Sequence, residues 1–216
     1  AEGASCLVKA MQDIYATIDK TPDSALMVHD DVYGKAHMAS LSSRWDHAGK
    51  QQSGNIVWTP DTAPTYWMVD SQVNFCAWAL PTVTLTHTDS AALAVLGGIL
   101  RNGHLHTAIR EKGGAYGAGA TQDSSMAVFK FYTYRDPRVE GSFNDFEASI
   151  DWVLNMKSGD DLVEQAVLGI IGSLDRPGSP AGEAKQAFHM DKGGRTQAIR
   201  QQFRDRLLAV NWADVQ

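Results

Sequence analysis

The 216-residue sequence predicts an α+β fold, a two-layer domain in which helices pack on a largely antiparallel sheet. Three observations predict it. Apolar residues recur at helical spacing near the start and through the last third of the chain. Runs rich in β-branched and aromatic residues fall between these helical stretches. Two strand-like runs, AYGAGATQ and MAVFKFYTY, are separated only by Asp123-Ser124-Ser125, which marks a hairpin.

The elements follow in order. Residues 4–20 read as an amphipathic helix with Leu7, Met11, Ile14 and Ile18 on one face, stopped by Thr21-Pro22-Asp23. ALMVH at 25–29 is a short candidate strand. Residues 32–48 have weak helical character, with Gly34 against it, and 48–64 form a polar loop. TYWMVDSQVNFCAWAL at 65–80 reads as one or two strands, irregular at Asp70-Ser71 and closed by Pro81. Thr88-Asp89-Ser90 offers N-cap residues to AALAVLGGILRN, a helix apolar nearly all round and so well buried. Asn102-Gly103 is expected to break it. HLHTAIREK then forms a second helical piece ending at Gly113-Gly114, and Tyr116 starts the hairpin. Farther on, Phe143, Phe146, Ile150, Val153 and Leu154 make one apolar helix face, and Leu162, Val163, Ala166, Val167, Ile170 and Ile171 make another. After a loop at 175–180, a last helix from about Thr196 to Val210 turns Ile199, Phe203, Leu207 and Leu208 inward.

Composition excludes several classes. Hydrophobic residues at 44% and charged residues at 20% suit a folded domain of ordinary size, not a disordered chain. A net charge of −6 does not favour nucleic acid or an anionic membrane as partner. No apolar run reaches the roughly 18 residues that a membrane-spanning helix needs. The opening residues AEGAS lack the basic start and apolar core of a signal peptide. Cys6 and Cys76 form no CxxC pair, and Cys76 lies in an apolar run that favours a buried free thiol.

Motifs for self-contained catalysis are missing. His104 and His106 are spaced for different sides of a helix, His29 and His37 are too far apart for a helical zinc pair, and neither H-E-x-x-H nor H-x-x-E-H occurs. No metal is expected on this chain. There is no G-x-S-x-G elbow, and Cys76 has no local base. The glycines of GGAYGAGA follow a helix and enter a strand, the reverse of the phosphate-binding order. RDPR at 135–138 reads either as a solvated turn or as a structural arginine–aspartate pair.

REKGGAYG at 110–117 stands out. Arg110 falls in the last turn of a helix, Gly113-Gly114 permits a sharp reversal with positive φ, and Tyr116 follows at once. A guanidinium suited to peptide carbonyls or a carboxylate can thus share one end of the layer with a phenol suited to a carbonyl oxygen or oxyanion. An arginine set against a helix dipole, followed by an ordinary glycine stop, explains the same residues. The residues alone leave both readings open.

NGHLHTAIREKGGAYGAGA, followed by FKFYTYRDPR, LDRPGSPAGEA and RQQFRDRLLAVNWADV, resembles the C-terminal half of the pitrilysin/insulinase-type zinc metallopeptidases, in the presequence protease branch. The resemblance covers residues 65–216 well and 1–64 by position. It implies the metallopeptidase-domain fold of the insulinase family and a single C-terminal, non-zinc-binding domain over 1–216, a fragment of a longer enzyme. That enzyme would degrade peptides in a closed chamber, with zinc and general base carried by its N-terminal catalytic half. Zinc polarises the scissile carbonyl and lowers the pKa of bound water. Arg110 and Tyr116 match the family's arginine and tyrosine, which hold substrate and stabilise the scissile carbonyl, with Gly113 and Gly114 as supporting turn. By this reading the chain is catalytically silent alone. Its partners are the catalytic half and a peptide substrate, not nucleic acid or membrane. For a bacterial source, cytoplasm and periplasm both remain open, the cytoplasm slightly ahead. The competing expectation is a non-enzymatic scaffold related to peptidase core subunits, which would have no need for both Arg110 and Tyr116.

Overall fold

A computed structural model describes residues 2–20, 26–30, 34–44 and 63–216. The chain divides into two compact units, Ala1–Tyr66 with Ser179–Phe188, and Trp67–Gly178 with His189–Gln216.

The first unit holds α1 (Glu2–Lys20) and α2 (Gly34–Arg44). α1 meets the expectation for 4–20, and its Leu7, Met11 and Ile14 are exposed. Gly34 opens α2 and so does not interrupt it. The strand expected at 25–29 is not formed over its described part: 26–30 carry no sheet pairing. A short apolar run becomes a strand only where a neighbour takes up its backbone groups. The loop expected at 48–64 lies outside the described residues, apart from 63 and 64.

The second unit is built on an antiparallel sheet of β1 (Ala77–Pro81), β2 (Gly117–Asp123) and β3 (Val128–Tyr134), ordered β1-β3-β2. β2 and β3 are the expected hairpin, beginning one residue after Tyr116. Ala120 and Trp78 both oppose Phe131, so these three share a sheet face. Phe131 is buried there, its ring 5.4 Å from Trp78, 5.2 Å from Phe129 and 5.3 Å from Phe146. Of the strand-like run 65–80, only its last part joins the sheet. Asn74 makes an isolated bridge to Asp136, while Trp67, Met68 and Val69 stay exposed and unpaired.

α3 (Ser90–Leu100) packs on β2 and buries Val95, Ile99 and Leu100, as its apolar circumference requires. Its capping differs from expectation. Asp89 makes no side-chain cap bond, and the Ser90 hydroxyl donates to the carbonyls of Leu85 (3.0 Å) and His87 (2.9 Å). Asn102-Gly103 does not break the helix. Arg101 keeps helical dihedrals and the winding widens into a π-helix, Arg101–Lys112. Gly103 serves packing: a Cβ there would lie 2.5 Å from the Trp152 ring.

α4 (Glu140–Leu154) and α5 (Asp160–Leu174) bury Phe146, Val153, Val163 and Ala166 as their periodicity predicts. α6 (Pro180–Lys192), most of which belongs to the first unit, was not foreseen; its proline sits at the first helical position, where a missing N–H costs nothing. α7 (Gln197–Ala209) is the expected last long helix, and Thr196 caps it by accepting from the Ile199 N–H at 3.3 Å. α8 (Trp212–Val215) adds a short turn held by a capping box between Asn211 and Asp214. Leu154 and Leu208, expected inward, are exposed.

Candidate functional site

The π-helix, the hairpin and the turn after β3 meet around REKGGAYG. Wide i→i+5 winding over a whole helix end is uncommon and recurs at functional sites. Here it carries Arg110 and Lys112 in its last turn, with Leu105 and Ile109 buried behind them. The stop is made by hydrogen bonds from the Gly114 N–H to the Arg110 carbonyl (3.3 Å) and from the Ala115 N–H to the Ile109 carbonyl (3.1 Å). The two glycines divide the work. Gly114 has φ +80°, the left-handed conformation expected of the pair. Gly113 has φ −80°, and its missing Cβ leaves room for the Arg138 guanidinium.

Arg138 belongs to RDPR, and the structure resolves that segment's two readings. Asp136 is fully buried. One carboxylate oxygen accepts from the Arg138 N–H at 2.9 Å, and the other accepts from the Ser142 hydroxyl. Its backbone exchanges hydrogen bonds with Asn74, N–H of Asn74 to carbonyl of Asp136 at 2.7 Å and the reverse at 2.9 Å. The Arg138 guanidinium donates to Asp145 at 3.0 Å. Its Nε is 3.6 Å from Asp136, an ion pair too long to be a hydrogen bond. The arginine–aspartate pair is therefore structural. Cys76 lies in the same layer as a buried free thiol; its N–H donates to Thr133 Oγ1 at 3.2 Å, and burial pushes its pKa up. A thiol so placed is a poor nucleophile.

This buried network holds the exposed groups in place. The Tyr116 N–H donates to the Arg135 carbonyl at 3.4 Å, tying the two turns together. The Tyr116 side chain is 71% exposed, and its ring meets Tyr134 edge-on at 5.8 Å, which in turn meets Phe75 at 5.3 Å. The aromatic row orients the phenol and leaves its hydroxyl to solvent. Arg110, Gly114, Ala115 and Tyr116 line one open concavity of about 550 Å³ with Val73 and Arg135. All the expected site residues thus gather at one place: Arg110 and Tyr116 at the concavity, Gly114 on its wall, and Gly113 beneath on Arg138.

Arg135 is the member that sequence reading missed. Its φ of +52° is a left-handed conformation rare for arginine, which the reading of RDPR as a turn or an arginine–aspartate pair does not announce. Among the described residues, no three of His, Cys, Asp and Glu come together as a metal site, so the described part of this chain offers no ligand set for zinc. No described helix is long and apolar enough to cross a membrane.

The comparisons agree with one another. A family model described as the PreP C-terminal domain matches residues 66–216. The chain is 38% identical to "Presequence protease, mitochondrial" of Kluyveromyces lactis over 153 residues, 70% of this chain and 15% of that protein. It is 40% identical to the Saccharomyces cerevisiae protein of that name over 145 residues, 67% and 14% of the two. The Xenopus tropicalis protein of that name is 29% identical over 211 residues, 96% of this chain and 20% of its own length. The chain therefore spans a fifth or less of these relatives. A solved peptidase M16 inactive domain from Pseudomonas fluorescens shares the fold, with TM-score 0.64 at 17% identity over 87% of this chain and 46% of that one. A Helicobacter pylori protease does so with TM-score 0.61 at 12% identity, over 84% and 48%.

Proposed function

We propose a function from one premise: this chain belongs to the family of presequence protease C-terminal domains. Residues 1–216 act as one C-terminal, non-zinc domain of a zinc-dependent peptidase that degrades peptides in a closed chamber. The metal and general base are assigned to the N-terminal half of that peptidase, since the matching family model is that of a C-terminal domain. Arg110 grips the peptide backbone through its planar set of donors. Tyr116 donates its hydroxyl to the scissile carbonyl and to the negative charge that develops on it. The observation that carries this reading is the shared concavity, where Arg110 and Tyr116 stand exposed over a scaffold of buried Asp136 and Ser142 and half-buried Arg138. A module built only for assembly has no use for two uncommitted donors fixed so firmly.

The test joins this chain to its zinc-bearing half. Tyr116→Phe should lower kcat by about a hundredfold or more, the order seen when one oxyanion donor is removed. Arg110→Ala should lower kcat/KM by at least about tenfold, since hydrogen bonds to charged groups contribute roughly 1.5–3 kcal/mol. Turnover at the parent level in both variants refutes the assigned roles. Stoichiometric zinc with peptide turnover in this chain alone refutes the division of labour.

A further inference from the structure

The concavity around Arg110 and Tyr116 has a second arginine in its lining that the proposed chemistry does not use. Arg135 lines it, and none of its six lining residues is acidic. The neighbouring carboxylates are committed elsewhere. Asp136 is buried against Ser142 and the Arg138 backbone, Asp145 takes the Arg138 guanidinium, and Glu111 lies 3.4 Å from His106. Neither Arg110 nor Arg135 has an ion-pair or side-chain hydrogen-bond partner among the described residues. In a chain of net charge −6, two unpaired arginines sharing one hollow form a local positive field.

The backbone adds an independent observation. Arg135 has φ +52°, a conformation that favours glycine or asparagine. The turn is held there from both sides, by Asp136 paired to Asn74 and by the Tyr116 N–H on the Arg135 carbonyl. A side chain that is unfavourable for its backbone, exposed, and given no partner within the fold is placed to meet something from outside.

We propose that Arg135 is a specificity-determining residue that binds a carboxylate of the peptide substrate beside the bond held by Arg110 and Tyr116. The inference rests on the function proposed above and deepens it by naming a substrate class. A guanidinium with Arg110 already engaged beside it suits a planar carboxylate, which accepts paired N–H bonds from one arginine. That carboxylate has two sources, an acidic side chain near the cleaved bond or the free C-terminus of a short peptide.

The experiment uses the chain joined to its zinc-bearing half and four matched peptides. One pair carries Glu or Gln beside the cleaved bond, and the other ends in a free acid or an amide. Arg135→Asn and Arg135→Gly both suit the left-handed backbone, so each removes the charge while keeping the turn. The expected result is a roughly tenfold fall in kcat/KM on the carboxylate member of one pair, with its neutral twin changed by less than about twofold. Arg135→Lys should restore part of that preference. A preference lost in the Glu/Gln pair identifies the side chain as the source, and one lost in the acid/amide pair identifies the C-terminus. Parent-level rates on all four peptides in the Arg135 variants, or an equal fall on all four, overturn the inference. If Arg110→Ala and Tyr116→Phe still cripple turnover in that case, the function proposed above survives. If those two variants turn over normally, that function fails and the inference fails with it.

Discussion

Arg135 and Arg138 belong to one short turn and have opposite surroundings. Arg138 is wedged against Gly113, bound to Asp145 and set beside buried Asp136. Arg135 faces an open hollow with Arg110 and Tyr116 and has no partner among the described residues. The residue type is the same, so the difference lies in the neighbours. One arginine completes a buried network and steadies the backbone; the other uses that steadiness to present a charge. The general lesson concerns division of labour at a site: buried polar groups fix geometry, and exposed unpaired ones do chemistry with a ligand.

Substitutions can break or sharpen this contrast. Asp136→Ala should have the largest effect, about 3 kcal/mol lost in urea unfolding, because it strands the Ser142 hydroxyl and the Arg138 amide inside the fold. A loss below about 1 kcal/mol would mean that the buried half of the turn is not the scaffold. Gly113→Ala should cost roughly 1–2 kcal/mol by displacing the Arg138 guanidinium. The share of that cost due to Arg138 should vanish in an Arg138→Ala background, while the share due to the Ile109 carbonyl, 2.5 Å from such a Cβ, should remain, so a fully additive double-mutant cycle would separate the two turns. Arg135→Gly should run the other way, gaining up to about 1 kcal/mol by relieving the positive φ, offset by the added freedom of the unfolded glycine. Destabilisation above about 1 kcal/mol would show that Arg135 has a structural role like that of Arg138.

The smallest effect is a control in the hairpin, away from both arginines. Lys130 donates to Asp123 at 2.8 Å and, despite partial burial, holds its carboxyl below the usual carboxylate range. A depressed folded pKa stabilises the fold above the ordinary carboxylate value, and that contribution fades as pH falls through the depressed value. Lys130→Met should therefore lower stability by roughly 0.2–1 kcal/mol at neutral pH, with the difference shrinking in acid. A difference that persists unchanged below the carboxylate range would assign it to packing.

Several features were legible in the sequence because their causes are local. The hairpin is marked by two β-rich runs around Asp123-Ser124-Ser125, and the glycine stop by a required positive φ at Gly114. The faces of α4 and α5 follow from periodicity, though Leu154 at the end of its helix escapes burial. The capping box at Asn211 and Asp214 could have revealed α8, since its spacing is a readable signal. Other features had no local cause to read. Asn102-Gly103 has the composition of a helix stop, but Trp152 needs the space over Gly103 and the helix runs on. TYWMV has the composition of a strand, yet no described strand lies beside it.

By itself, then, the sequence determined the α+β class, the hairpin, and a glycine turn able to bring Arg110 and Tyr116 to one end of the layer, because propensity, periodicity and φ requirements act over a few residues. Only the tertiary structure decided which arginine of RDPR is tied into the fold and which is free. Asn74 and Gly113 come from parts of the chain distant from Asp136 and Ser142, and burial of one carboxylate among them sets the direction of everything attached to it.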